Sequence, residues 1–181
     1  MWERFRGKVV GSLAAVMLLL GWGSTARAEA IVTHIYELNG SFADSLGGPS
    51  LVPNGGVLGA TGYTFGFGQG PSVSNAINPT TYSIEMLFSI NQTDGFRKLI
   101  DFKNLTSDNG LYNLDTALNF FPVTTGPSGS FTAGATAHLV VTRDGSTNQF
   151  IGYVNGVQRI SFTDTFNDAG VTHVPLNRFC I

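Results

Sequence analysis

From Tyr82 to Ile90 the chain alternates. Tyr82, Ile84, Met86, Phe88 and Ile90 fall on one side, Ser83, Glu85 and Ser89 on the other, and Leu87 is the exception. A period of two belongs to an extended strand with one buried face; wound into a helix, the same residues would scatter around the axis. Beyond residue 28 no stretch sustains a helical period, so the chain is committed to β-structure. A meander is predicted near the C-terminus: strands over 138–143, 149–154 and 157–162, with Asp144-Gly145-Ser146-Thr147 and Asn155-Gly156 as turns. Asn-Gly is the strongest short hairpin signal, because both residues tolerate the positive φ of a type I′ turn. Further strands are predicted over 32–38, 96–102, 110–113 and 117–121. Between them lie turn-forming clusters such as Gly47-Gly48-Pro49, Pro53-Asn54-Gly55-Gly56 and Gly126-Pro127-Ser128-Gly129. Many short strands joined by turn chemistry, with no internal repeat and no linker, describe one all-β, two-sheet antiparallel sandwich.

The N-terminus has a different grammar. Arg4, Arg6 and Lys8 precede an apolar run over 9–20, and a small, polar stretch then ends in Ala26-Arg27-Ala28. Basic head, apolar middle and small-residue cleavage site are the order of a secretory signal, and the run is short for a membrane span of roughly 20 residues. Residues 1–28 are therefore expected to be cut away after Ala28, placing the protein outside the cell or at its surface. That removes four of the ten basic residues and one of the twelve acids, leaving six against eleven, a balance of −5. A chain so charged has no footprint for nucleic acid or anionic lipid. The single cysteine, Cys180, can close no internal disulfide, so stability must come from the core.

Five segments carry a family resemblance. Ala137-His138-Leu139-Val140-Val141-Thr142-Arg143-Asp144-Gly145, followed by Gly152-Tyr153-Val154-Asn155-Gly156-Val157, resembles the core meander of laminin-G-like, concanavalin A-like jelly rolls. Tyr82-Ser83-Ile84-Glu85-Met86-Leu87-Phe88, Leu99-Ile100-Asp101-Phe102 and the opening Tyr36-Glu37-Leu38-Asn39-Gly40-Ser41-Phe42-Ala43-Asp44 are similar to other strands of that family, in the same order. The resemblance implies a jelly roll over 29–166, of the kind found in secreted bacterial proteins, binding glycans or extracellular proteins, with possible association with the cell envelope. It also exposes a departure. Residues 167–181 form an atypical tail without clear alternation, where the family has closing strands that pack beside the first strand. A truncated or frame-shifted product with an open sheet edge is the expectation, a natural short variant the alternative.

Candidate chemistry is sparse. Glu85 is the only acid on its strand, and no spaced acid pair suits a two-carboxylate glycosidase. No G-x-S-x-G elbow is present. His34, His138 and His173 stand apart without zinc spacing, and His138, opening a core strand, reads as structural. No catalysis is expected. Calcium is the one metal that the resemblance implies, at a rim site. Asp44 matches the opening motif, and Asp108 with Asn109 form a second loop pair; turn chemistry favours each as a turn-forming residue over a calcium ligand. For ligand contact, Tyr63, Phe65 and Phe67 alternate in a Gly-rich segment. They either stack on sugar faces from a loop or bury themselves as a strand. Sequons at Asn39, Asn91 and Asn104 are expected by chance in so Asn/Thr/Ser-rich a chain. An exported glycan- or protein-binding module is the leading reading. A polysaccharide-acting enzyme and a structural or adhesive surface protein are the alternatives.

Overall fold

The computed structural model describes residues 31–171 and the backbone of residues 6–11. Cleavage residues Ala26 to Ala28, His173 and Cys180 lie outside the described residues. In chain order the strands are β1 (Arg6–Gly11), β2 (Ile31–Tyr36), β3 (Val57–Leu58), β4 (Tyr63–Thr64), β5 (Tyr82–Ser89) and β6 (Phe96–Asp101). There follow β7 (Gly110–Leu114), β8 (Ala117–Phe121), β9 (Thr124–Thr125), β10 (Thr136–Asp144), β11 (Gln149–Val154) and β12 (Val157–Thr163). They form a six-stranded sheet in the order β12-β11-β10-β5-β1-β2, a four-stranded sheet β6-β7-β8-β9 and the small pair β3-β4. Every pairing is antiparallel, and no helix occurs among the described residues. The molecule is an all-β assembly of two packed antiparallel sheets.

The alternation that predicted β5 is what packs it. Tyr82, Ile84, Met86 and Phe88 are buried, and β10 places Ala137, Leu139 and Val141 beside them through the register Ala137↔Phe88, Leu139↔Met86 and Val141↔Ile84. At Asn155-Gly156 both residues hold positive φ, as the hairpin requires. Asn155 ties that turn to β10 by donating its N–H to the His138 carbonyl and accepting the His138 N–H on Oδ1. Between the sheets lies a cluster of four phenylalanines. Phe102 and Phe120 come from the four-stranded side, Phe150 and Phe162 from the six-stranded side, with ring centroids 5.0–6.2 Å apart. Gly152 makes room for this packing: a Cβ there would lie 2.8 Å from Ile160 Cγ1 and from Leu118 Cδ2.

Two findings go beyond the sequence reading. The place beside β2 is filled: β1, from within the segment read as a leader, pairs with β2 on one side and β5 on the other. And residues 167–171 of the atypical tail belong to the fold. Ala169 is fully buried and accepts the Tyr82 hydroxyl, the Val171 N–H reaches the Pro79 carbonyl, and Lys103 Nζ donates to the carbonyls of Asn167 and Gly170.

Candidate functional site

Leu111 and Phe120 face the core from β7 and β8, so period two turns Tyr112 and Phe121 to the opposite face of the four-stranded sheet. On β6 a bulge at Leu99 changes the phase: Lys98 pairs with Tyr112 and Ile100 with Leu111. The extra residue lets Leu99 and Ile100 both be buried while Phe96 and Lys98 stay on the outer face with Tyr112. There a cleft of about 400 Å³ opens, lined by Phe67, Phe96, Arg97, Lys98, Leu105, Asp108, Tyr112 and Phe121. This is within the size range of small-ligand sites. Phe96 stands edge-on to Tyr112 and Phe121, with centroids 5.8 and 6.1 Å away.

Two loops close the rim. Gly66 to Gln69 form a turn: the Gly66 carbonyl accepts the Gln69 N–H, Gln69 Oε1 accepts the Gly66 N–H, and Asn54 donates to the Gly68 carbonyl. The turn needs positive φ at Gly68, which glycine supplies without strain, and it holds Phe67 out at 92% exposure. The second loop hangs on Asp101, a fully buried carboxylate that accepts the N–H groups of Lys103 and Leu105 on Oδ1. Those bonds hold Asn104 and Leu105 at positive φ, an arrangement unusual for leucine that presents its side chain to the cleft.

The polar equipment is compact. Lys98 Nζ donates to Asp101 Oδ2 at 2.8 Å, lies 5.2 Å over the Tyr112 ring and stands 3.6 Å from Asp108 Oδ1. Burial alone would lower the lysine's pKa, but hydrogen bonds with Asp101 and Tyr112 outweigh it, so the ammonium is retained above its ordinary range. The Tyr112 hydroxyl is 2.6 Å from Asp108 Oδ1. Burial, reinforced by that acceptor, pushes its pKa up to about 12, so at neutral pH it remains a hydrogen-bond donor. The cleft thus presents aromatic faces beside two cations, Lys98 and Arg97, one phenol and one carboxylate.

The residues singled out in the sequence separate here. Tyr63 is 3% exposed, edge-on to Phe42 with its hydroxyl donating to the Gly55 carbonyl, and Phe65 packs half-buried against the core. The alternation buries Tyr63 and half-buries Phe65, as in the strand alternative of the sequence reading, and neither lines the cleft. Only Phe67 reaches the cleft, because the turn at Gly66 and Gly68 interrupts the strand pattern. Asp108 lines the cleft and Asn109 turns away, donating Nδ2 to Asp168.

Asp44 is buried, and its carboxylate accepts from the N–H groups of Ile35, Leu46 and Gly48 and contacts His34 Nδ1 at 2.6 Å. A carboxylate ringed by donors is already neutralised, and a calcium ion would have to displace them. Asp108 already faces the Lys98 ammonium. In this arrangement these residues do not fit a calcium site, and among the described residues no group of three His, Cys, Asp or Glu side chains is placed to hold a metal. His138 contacts Glu85 at 2.9 Å on the outer face of the six-stranded sheet, and neither lines the cleft.

The donors around Asp44 give it a pH signature. Burial favours the neutral acid, but the hydrogen bonds from Ile35, His34, Leu46 and Gly48 outweigh this and hold the pKa below the ordinary carboxylate value. A depressed folded pKa contributes stability above the unfolded value of about 4 and loses it as pH falls through the folded value. Asp44→Asn is therefore expected to cost about 1.5–3 kcal/mol at pH 6 and progressively less below about pH 4. Urea unfolding of both proteins from pH 6 to 2.5 checks this; a gap independent of pH contradicts it.

Phe96, Lys98, Tyr112 and Phe121 were not singled out, since an aromatic on a predicted strand reads as core. One signal was available: Phe120-Phe121 puts an aromatic on each face of one strand, which marks a second apolar surface. No protein-family model matches the chain, and no curated protein or solved structure is found to match it.

Proposed function

We propose that this chain is an exported binding module of the laminin-G-like, concanavalin A-like jelly-roll kind, and that it recognises glycan through the cleft on its four-stranded sheet. The single observation that carries the reading is the outer-face cleft, where Phe67, Phe96, Tyr112 and Phe121 converge around Lys98 and Asp108. Sugar rings present C–H faces that pack on aromatic side chains and hydroxyls that need both donors and acceptors. The cleft supplies both, and its most exposed aromatic, Phe67, stands on a braced turn where a ligand can cover it. Asp108 is the one carboxylate among the described lining residues, whereas hydrolysis by the usual two-carboxylate route needs a pair across the cleft. This favours binding over a polysaccharide-acting enzyme. Residues 1–28 are the export signal in this reading, which puts the module outside the cell or on its envelope.

A glycan array probed with the protein tests the proposal, followed by calorimetry on the best hit. Phe67→Ala and Tyr112→Phe are the informative variants. Loss of the exposed ring is expected to weaken binding about tenfold, and loss of the hydroxyl about fivefold, with unfolding midpoints little changed for Phe67→Ala. Undiminished binding in both variants sinks the cleft as the site. A blank array with capture of an extracellular protein replaces glycan by a protein partner.

A further inference from the structure

The six-stranded sheet contains a position filled from an unexpected place. β1 runs antiparallel to both neighbours, with Gly7↔Met86, Lys8↔Glu85 and Val9↔Ile84 on the β5 side and Gly7↔Tyr36, Lys8↔Ile35 and Val9↔His34 on the β2 side. A bulge between Val9 and Val10 adjusts the β2 register. We propose that this position is a strand-acceptor slot supplied in cis by Arg6–Gly11, so that removal of residues 1–28 opens a gap one strand wide between β2 and β5.

Both walls of the slot are held independently of the strand between them. β5 is paired along its whole length with β10, and its alternate residues are buried in the core. Among the described residues β2 stands at the end of the sheet order, with β1 as its ladder partner. Yet it is pinned to its own downstream loop. The Ile35 N–H donates to Asp44 Oδ1, the Ile35 carbonyl accepts the Ser45 N–H, His34 contacts Asp44, and the buried Tyr36 donates its hydroxyl to the Pro49 carbonyl. Deleting β1 therefore leaves two fixed strands with facing rows of unpaired N–H and C=O groups, about two strand spacings apart. β2 and β5 run in the same direction, each antiparallel to β1, so they cannot close on each other without breaking those anchors. The slot accepts an extended segment of about six residues by main-chain pairing on both edges, and Arg6–Gly11 is the occupant the register specifies.

The inference rests on the reading of residues 1–28 as a removable leader only for its consequence, and the experiments keep the two apart. In the full chain carrying Cys180→Ser, Lys8→Cys is combined with Glu85→Cys, and separately with the offset partner Ser89→Cys. The in-register pair is expected to oxidise to an intramolecular disulfide about tenfold faster than the offset pair. Hydrogen exchange of amides 83–87 and 32–36 is expected to be about tenfold slower in the parent than in Val9→Pro, because an internal strand cannot lose a donor or keep its register around proline. A protease site placed between residues 13 and 28 gives the third readout: after cutting the folded chain, the N-terminal fragment co-elutes with the domain on gel filtration, and the Val9→Pro fragment does not. Equal oxidation rates for the two pairs, or equal exchange in parent and proline variant, overturn the slot. The leader is judged separately, by the N-terminal residue of the exported protein: a start at Glu29 supports cleavage, and an intact Met1 refutes it without touching the slot.

Discussion

Asp164→Ala is expected to cost about 3–5 kcal/mol, among the largest effects of any single substitution in this chain. Arg143 sits on the inward face of β10 and is 3% exposed, as is Asp164, which it meets through Nε at 2.9 Å. Its other nitrogens reach the Thr80 carbonyl and the side-chain oxygens of Asn167 and Asn148. Removing the carboxylate leaves a guanidinium buried without its counter-charge. It also strips the Asp168 and Ala169 N–H groups of their acceptor, so the strap over 164–171 loses its anchor to the sheet. For a domain of this size the melting temperature should fall by roughly 10 °C, and proteolysis should begin within 165–171. A paired exchange, Arg143→Met with Asp164→Leu, is expected to recover much of the loss, because apolar residues of similar volume need no partner. If Asp164→Ala unfolds within 1 kcal/mol of the parent, the ion pair is not the clamp described here.

Phe120→Ala should be comparably severe, at about 3–5 kcal/mol, for a different reason. Phe120 is fully buried and touches rings from both sheets: Phe102 at 5.7 Å, Phe150 at 5.0 Å and Phe162 at 5.0 Å. Truncation leaves a void at the joint between the sheets that rings fixed on two separate ladders cannot collapse to fill. Phe120→Leu should lose less than half as much, since it retains most of the buried area. Chemical denaturation of the three proteins checks the order, and equal stability of the alanine and leucine variants contradicts a cavity-dominated cost. Because Phe121 faces the cleft from the same strand, ligand affinity should change less in Phe120→Leu than in Phe121→Ala.

The strands that could be read from sequence are those that bury one face. β5, β10, β11 and β12 carry alternation or a turn signal, and the predicted bounds of these and of β2, β6, β7 and β8 lie within two residues of those observed. β3, β4 and β9 are two residues long, too short to express any period. β1 escaped for a physical reason: Arg6-Gly7-Lys8-Val9-Val10-Gly11 does not alternate, and its basic start and apolar continuation are also what an export signal needs. The cleft was legible at one residue. Phe67 stood out because its neighbours are glycines, whereas Phe96, Lys98 and Tyr112 lie on strands whose opposite face is core. Their role depends on the bulge at Leu99 and on two loops, one of which places Phe67 from an earlier part of the chain. Asp44 illustrates the converse. Its motif position was legible, but three of its four partners are backbone N–H groups, placed by a loop geometry that sequence does not display.

The proposed binding surface is the outer face of the four-stranded sheet. The most direct measurement is an amide NMR titration of isotopically labelled protein with the oligosaccharide that binds best on the array. Saturable shifts are expected, concentrated at residues 66–68, 96–98, 105–108, 112 and 121, with Asp44 and its loop unmoved. Shifts centred on the Asp44 loop or on the outer face of β5 and β10, with the cleft residues silent, would contradict it.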